Sequence, residues 1–200
     1  MKPTLIEKTL KITSKTGVIR PKDLDQYGIP RKYLHILHRK GLLDRIGRGL
    51  YASPEFEPTE NRSLAEICKR IPHSVVCLIS ALLFHELTTQ LPSKVWIAID
   101  RKARLPNEVA LPVRVFRFSG KALTEGVEEH KIEGVTVKVY NPAKTVADCF
   151  KYRNKIGKDI AIEALKDCLL QRKCKPADIN HYARICRISS VIRPYLEAVI

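Results

Sequence analysis

Basic side chains recur at helical spacing in the segment IPRKYLHILHRK, which begins at Ile29. At about 100° per residue, apolar residues occupy one arc of this predicted helix. The opposite arc carries Arg31, Lys32, His35, His38 and Arg39. Arg and Lys can bind guanine edges in the major groove of DNA and neutralise phosphates, so these side chains are candidates for nucleic-acid contacts. The alternative is a solvated helix face without a partner.

Two further basic residues follow in the segment LLDRIGRGLYA, which ends at Ala52. Its two halves alternate like short strands, and Gly47 and Gly49 lie between them, where glycines supply the positive φ of a tight hairpin. We predict a two-stranded β-ribbon with Arg45 and Arg48 near its tip. There the two guanidinium groups would contact phosphate or lie in the minor groove.

The segments before the basic helix fit a winged helix-turn-helix. The apolar side of a first helix is predicted to consist of Leu5, Ile6, Leu10 and Ile12. After Gly17, the segment VIRPKDLDQYG is predicted to form a short second helix, with Pro21 in its first turn, Leu24 as its buried contact and Gly28 at its end. In such motifs the helix that follows, here the basic one, enters the major groove.

The segment 53–61 combines two prolines with three glutamates and has no helical period, as inter-domain linkers do. We predict a winged helix-turn-helix domain at residues 1–52, a linker at 53–60 and a larger domain at 61–200.

The second domain is predicted to mix helices and strands. RSLAEICKRI and CLISALLFHEL have helical patterns, KVWIAID and PVRVFRF have strand patterns, and a hairpin is centred on Gly134. From Pro142 onward, helices are predicted in PAKTVADCFKYR, KDIAIEALKDCLLQR and PADINHYARICR, with a last one from Ser190. The apolar positions of the second of these three are 160, 162, 165 and 169. The predicted fold class is α+β, an N-terminal winged helix-turn-helix plus a C-terminal mixed-sheet domain with a helical tail.

The chain carries 36 Lys and Arg against 21 Asp and Glu, a formal charge of +15. Such a surplus attracts polyanions, although its sign alone does not separate nucleic acid from anionic membranes or acidic proteins. The last fifty residues alone hold eleven basic and five acidic residues. This local surplus fits a second phosphate-contacting surface, a site for a tRNA or another partner, or a solvated helix face.

No signal peptide and no membrane span are predicted, because the longest apolar run, 75–84, is shorter than the ~20 residues that a span needs. We therefore expect a cytoplasmic protein without a membrane partner. The six cysteines include no C-x-x-C pair, and we interpret them as reduced thiols that form no zinc site.

Motifs that bind phosphate or zinc or that present a nucleophile are not found: the sequence has no G-x-x-x-x-G-K-[ST], G-x-G-x-x-G, H-E-x-x-H or G-x-S-x-G. His85 and Glu86 have no second histidine four residues on, and we expect them to pack or to form hydrogen bonds. Asp100 and Lys102 have the D-x-K form of metal-dependent nucleases, but no partner acid on a neighbouring strand is evident. We predict no enzyme, no cofactor and no metal, with a nuclease around Asp100 and Lys102 as the weakest alternative.

Three stretches resemble the AbiEi family of bacterial antitoxins: GRGLYA, HSVVCLISALLFHELTTQLPSKVWIAID and NPAKTVADCFKYRNKIGKDIAIEAL. The similarity runs from Leu5 to about Leu196. It implies a type IV toxin-antitoxin component in phage defence, with a winged helix that binds inverted repeats in its own promoter. The C-terminal domain would oppose a nucleotidyltransferase-like toxin without a stable complex. The resemblance assigns groove reading to Arg31, Lys32, His35 and Arg39 and wing contacts to Arg48.

A lone winged helix reads only a short half-site, so two copies on an inverted repeat are expected. The competing class is a protein- or RNA-interaction module whose basic surface meets a different partner.

Overall fold

The computed structural model describes residues 4–54, 59–106 and 111–199. Its contacts divide the chain into a first unit, residues 1–69 and 131–136, and a second unit, residues 70–130 and 137–200. Positions 55–58 of the predicted linker lie outside the described residues, and the division at 53–60 stays a proposal. Helix Arg62–Arg70 follows that segment, and its residues 62–69 are grouped with the first unit.

The first unit begins with a winged helix-turn-helix. Its elements are α1 (Leu5–Thr16), β1 (Val18–Ile19), a 3₁₀ helix (Pro21–Tyr27), α2 (Lys32–Arg39), β2 (Asp44–Gly47), β3 (Leu50–Ala52) and α3 (Arg62–Arg70). Thr4 and Glu7 form a capping box at the start of α1, in which each side chain accepts a hydrogen bond from the other's backbone N–H. Gly28 ends the 3₁₀ helix with a positive φ, as predicted, and Gly17 also has a positive φ where α1 ends.

The wing is a three-stranded sheet in the order β1-β3-β2, whereas the sequence predicted two strands. Val18 and Ile19, predicted to open the second helix, instead pair antiparallel with β3 and are only 1% exposed. Two residues are too few to show a strand period. At the tip, only Gly49 has a positive φ, of 67°, because Gly47 belongs to β2 and pairs with Leu50.

The buried side of α1 agrees only in part with the predicted one, since Ile6, Leu10 and Ile12 pack half-buried against the core. Leu5 is 38% exposed, while Thr9 and Thr13 are fully buried. The two hydroxyls donate to the backbone carbonyls of Leu5 and Leu10, at 2.6 and 2.9 Å, so they enter the core without an unmet hydrogen bond. The rest of this core is Ile19, Leu24, Ile29, Leu34, Leu37, Leu43 and Tyr51.

Residues Lys131–Thr136 are grouped with the first unit, and their contacts with it include the following. The backbone N–H and the hydroxyl of Thr59 donate to the Glu133 carboxylate, at 2.9 and 3.0 Å. Gly134 lies against the end of α1 so closely that a Cβ on it would come within 2.6 Å of the carbonyl oxygen of Thr16. The first unit is therefore built from two separate stretches of sequence.

The other elements are β4 (Val75–Val76), α4 (Leu78–Phe84), β5 (Val95–Asp100), β6 (Val113–Phe118), α5 (Lys121–Thr124), β7 (Val127–Ile132), β8 (Val135–Tyr140), α6 (Pro142–Lys151), α7 (Arg153–Ile156), α8 (Lys158–Leu170), α9 (Pro176–Cys186) and α10 (Ser189–Val199). The strands form a sheet in the order β6-β5-β4-β8-β7, in which β4 is antiparallel to β5 and parallel to β8. Glu133 and Gly134 both have positive φ, as a type I′ hairpin turn requires. The predicted α+β fold, with a mixed sheet and a helical tail, is confirmed.

Helix α8 turns a different face to the core from the one predicted. Its buried residues are Ala161, Ala164, Leu165 and Cys168, which share only Leu165 with the predicted positions. Spacing of three and four residues places the small side chains in one row, where α8 can approach α6 closely. The larger Ile160, Ile162 and Leu169 lie half-buried beside that row.

Four cysteines are buried thiols that belong to no disulfide of the described residues, as their apolar surroundings predicted: Cys68, Cys77, Cys149 and Cys186. Cys168 and Cys174 are joined by a disulfide, with Cα atoms 6.0 Å apart. The interpretation of six reduced thiols is therefore wrong for this pair, which the chain brings together by turning back after α8.

Candidate nucleic-acid interface

Three of the predicted basic residues form a single exposed stripe on α2. Lys32, His35 and Arg39 stand at positions i, i+3 and i+7, so they lie one above another on one face of the helix. Leu34 and Leu37 on the opposite side are fully buried and fix α2 against the core of the first unit. Because α2 contains no acidic residue, its exposed face is uniformly basic or neutral.

Arg31 occupies the N-cap position of α2 and is engaged within the first unit. Its Nε and Nη2 atoms donate to the two carboxylate oxygens of Asp25, at 2.9 and 2.5 Å. This hydrogen-bonded pair lowers the pKa of Asp25 and raises the pKa of Arg31. Both side chains are about half exposed, at 49% and 54%, so the pair lies on the surface beside the α2 stripe.

His38 is half-buried and contacts the start of the wing. Its Nδ1 lies 2.9 Å from the carbonyl oxygen of Leu43, a contact in which the ring nitrogen donates its proton. The edge of the ring also meets Tyr51 on β3, with centroids 6.0 Å apart. His38 thus ties the end of α2 to the wing, and its structural setting differs from that of the exposed stripe.

The wing exposes the two remaining candidates. Arg45 lies on β2 opposite Tyr51, and Arg48 lies in the two-residue loop that ends at Gly49. The arrangement presents two guanidinium groups on a ribbon that follows α2 directly in the chain. The structure therefore brings the α2 stripe and the wing into one unit, as a winged helix requires.

The D-x-K segment of the second unit forms a tight turn. The Asp100 carboxylate accepts a hydrogen bond from the backbone N–H of Lys102 at 2.8 Å. The Arg117 side chain donates to the carbonyl oxygens of Asp100, Arg101 and Ala103. Within residues 4–54, 59–106 and 111–199, no group of three or more His, Cys, Asp or Glu side chains is placed to hold a metal ion.

The FHEL segment has the structural role that we expected. The Nε2 of His85 lies 2.7 Å from the carbonyl oxygen of Tyr140, and burial lowers the pKa of this imidazole. Glu86 is exposed and forms an ion pair with Lys173 at 3.2 Å.

A buried ion pair in α6 escaped the sequence analysis. Lys144 is fully buried, and its Nζ donates to the carboxylate of Asp148 at 2.5 Å and lies 4.2 Å from the centre of the Tyr140 ring. The thiol of Cys186 donates to the other carboxylate oxygen at 3.2 Å. Burial raises the pKa of Asp148, and the adjacent ammonium opposes that rise. The i, i+4 spacing was visible in the sequence, but burial of both charges was not.

The fold and the basic face of α2 define a class of protein, a winged helix-turn-helix joined to a second α+β unit. Residues 7–54 match the family described as "Transcriptional regulator, AbiEi antitoxin", which confirms the resemblance over that part of the chain and supports a role as an antitoxin and regulator. No curated protein matches the chain.

One similar solved structure is the crystal structure of the RV2827C protein from Mycobacterium tuberculosis. It aligns with 98% of this chain and 80% of that chain, with a TM-score of 0.61 and 16% sequence identity. At that identity the likeness shows the fold alone. Among the helices of the described residues, none is long and apolar enough to cross a membrane.

Proposed function

We propose that the protein is a cytoplasmic, DNA-binding autorepressor and the antitoxin of a type IV toxin-antitoxin system. It would counteract a nucleotidyltransferase-like toxin without forming a stable complex with it. The observation that carries the DNA-binding part is the exposed stripe of Lys32, His35 and Arg39 beside a basic wing. This stripe lies within the segment that matches the AbiEi regulators.

In this proposal α2 enters the major groove with its N-terminal end leading. Lys32 and His35 then face base edges, and Arg39 reaches the phosphate backbone. Arg31 joins the base contacts when it exchanges Asp25 for a guanine edge. Arg45 and Arg48 on the wing neutralise phosphates, which adds affinity without direct base readout.

His38 has a positioning role in this arrangement. Its hydrogen bond to Leu43 sets the position of the wing relative to α2, and thereby the spacing between groove contacts and wing contacts. Two copies bind an inverted repeat, because one such helix reads too few base pairs for useful specificity.

The DNA-binding proposal is tested by fluorescence anisotropy with the duplex upstream of the protein's own gene, a scrambled duplex and a series of salt concentrations. We expect tighter binding to the upstream duplex and a steep decrease of affinity with salt. The double variant Lys32→Gln/Arg39→Gln should lose that preference. Lys8→Gln/Lys11→Gln, which removes two exposed charges from α1, is the matched control and should change little. Equal binding of both duplexes by the unmodified chain would reject the repressor role.

The antitoxin proposal is tested separately, by producing the protein together with the toxin encoded beside it. We expect growth to be restored, and the toxin should not copurify with the protein. The Lys32→Gln/Arg39→Gln variant should still neutralise, because that role is assigned to the second unit. Loss of neutralisation in a folded variant of this kind would place the antitoxin role on the winged helix instead.

A further inference from the structure

The second unit contains a cleft of about 330 Å³ that the winged-helix function does not use. Two cations, Lys94 and Arg114, line it together with Leu91, Ser93 and Trp96, and no acidic side chain of the described residues does so. Leu91 is 83% exposed at the rim. The cleft therefore offers positive charge beside apolar surface, which suits an anion that also carries a flat or apolar group.

The strand register creates the centre of this cleft. β5 and β6 pair in parallel, and Trp96 stands directly opposite Arg114. The guanidinium carbon of Arg114 lies 4.3 Å from the centre of the Trp96 ring and 5.7 Å from that of Phe116. One face of the guanidinium thus rests on aromatic rings, while the exposed side chain leaves its other face open to a ligand.

Beyond the cleft, further aromatic rings follow, with basic side chains beside them. Phe116 meets Tyr152 edge to face at 5.0 Å, and Tyr152 stacks on Phe118 with their planes 2° apart. The ammonium groups of Lys155 and Lys151 lie 5.8 Å from the Tyr152 ring and 6.0 Å from the Phe118 ring, respectively. We call Lys94, Trp96, Arg114, Lys151, Tyr152 and Lys155 the aromatic-basic surface.

The cations of this surface do not pair with any carboxylate that the structure describes. Across the parts of the chain that the structure describes, no carboxylate forms an ion pair with Lys94, Arg114, Lys151 or Lys155. Other cations of the same unit do pair, such as Lys121 with Glu125 and Lys173 with Glu86. Among the described residues nothing neutralises these four cations, so they are available to an external anion.

We propose that the aromatic-basic surface binds single-stranded nucleic acid, with one nucleotide seated in the cleft. The base stacks on the open face of Arg114 against Leu91, and the neighbouring phosphates meet Lys94 and Lys155. Non-specific single-strand sites combine stacking platforms with a basic path for the backbone in this way. A duplex cannot seat a base here, because its bases are already stacked and paired. The site is thus separate from the winged helix and goes beyond the proposed repressor function.

Trp96 makes the cleft directly observable, since it is the single tryptophan of the chain. The full chain is titrated with a single-stranded RNA, a single-stranded DNA and a mononucleotide, with tryptophan emission as the readout. The Lys32→Gln/Arg39→Gln background removes the basic stripe of α2 from the measurement. We expect a saturable change of emission with the single strands, which a duplex of the same sequence does not produce.

The variant Arg114→Gln removes the stacked guanidinium and should weaken strand binding by about tenfold or more, in line with the contribution of one stacked base. Lys166→Gln, which removes an exposed lysine of α8 outside the aromatic-basic surface, is the charge-matched control and should bind nearly as before. Lys94→Gln, at an exposed position, repeats the test should Arg114→Gln fail to fold.

Comparison of the single strands with the mononucleotide shows whether the cleft binds a nucleotide within a strand or a free nucleotide. Binding of strands with no response to the mononucleotide supports a strand site, and an equal response to both assigns the cleft to a free nucleotide. The proposal is overturned if neither ligand gives a saturable change, or if Arg114→Gln and Lys94→Gln bind as tightly as Lys166→Gln. Operator binding by Arg114→Gln, measured in the unmodified winged-helix background, should stay unchanged, so that the two proposals can fail separately.

Discussion

The carboxylate of Asp25 holds the guanidinium of Arg31 through two hydrogen bonds, at the N-terminal end of the helix that we assign to the major groove. A guanine edge presents two acceptors to Arg in much the same bidentate manner. In the free protein, the carboxylate therefore occupies the donors that a base would use.

The first prediction concerns that carboxylate. Asp25→Asn removes a negative charge beside α2 and weakens the hold on Arg31, so duplexes of any sequence should bind several-fold more tightly. The salt dependence should steepen by up to about one unit, which corresponds to one additional phosphate contact. Anisotropy titrations over a salt series measure both quantities. Weaker binding by Asp25→Asn would instead mean that the ion pair positions Arg31 for DNA.

The second prediction distinguishes the recognition of bases by Arg31 from the neutralisation of phosphates by Arg48. Arg31→Ala should weaken binding to the operator by roughly tenfold or more and relax the preference at one base pair, if Arg31 contacts guanine. Arg48→Ala should weaken binding evenly across sequences and lower the salt slope by about one unit. A panel of operators with single substitutions distinguishes the two patterns. Identical effects of both variants on every sequence would contradict the assigned roles.

The third prediction concerns His38, whose ring connects α2 to the wing. His38→Ala deletes the hydrogen bond to Leu43 and should destabilise the wing by about 1 kcal/mol. His38→Asn retains a side-chain N–H donor and should recover part of the loss. Amide hydrogen exchange over residues 42–52 is the measurement. Unchanged exchange in His38→Ala, together with weaker DNA binding, would instead support direct contact of His38 with DNA.

The fourth prediction concerns the buried ion pair in α6. Lys144→Met leaves the Asp148 carboxylate buried without its cation and should lower the free energy of unfolding by about 3–5 kcal/mol. The double variant Lys144→Met/Asp148→Leu removes both charges and should lie close to the unmodified protein. Denaturant unfolding followed through Trp96 reports on the second unit. If the double variant were clearly less stable than the unmodified protein, the pair would contribute net stability.

The fifth prediction concerns the pH dependence of the second unit. Burial lowers the pKa of His85 below its unfolded value of about 6.5, so the unfolded chain binds the extra proton more readily. The free energy of unfolding should therefore fall as pH decreases from about 6.5 toward the folded pKa, by less than about 1.4 kcal/mol per pH unit. The charges that also act on this ring are Glu128, His130 and Lys173.

The variant His85→Gln keeps a donor for the Tyr140 carbonyl but does not titrate. It should show a shallower loss of stability over the same pH range, followed by denaturant unfolding. A slope as steep as that of the unmodified protein would show that another group is responsible.

Local sequence signals predicted most of the fold because they act within single elements. The arc that contains Leu34 and Leu37 and the glycine that closes each early helix are properties of neighbouring residues. The β1 strand was missed because two residues have no measurable period. Thr9 and Thr13 were missed because their hydroxyls bond to their own helix, which lets a polar residue behave as a core residue.

The candidate sites also differ in whether local sequence reveals them. The stripe on α2 follows from one helical period and could be read directly. The aromatic-basic surface could not, because Trp96 and Arg114 meet only through the register of two parallel strands. The Lys144 and Asp148 pair likewise depends on what the rest of the fold packs around α6. Pairing between distant segments carries no local signal.

The first unit is completed by residues 131–136, which follow the winged helix in the chain only after residues 70–130. During synthesis, the helices and strands of the winged helix emerge from the ribosome first and can assemble their own core. The contacts of Thr59 with Glu133 and of Thr16 with Gly134 must wait for the later segment. A nascent chain stopped between these points would carry helix α2 in a unit that is still unfinished. Completion of the unit that we propose to bind DNA therefore depends on translation of residues 70–136.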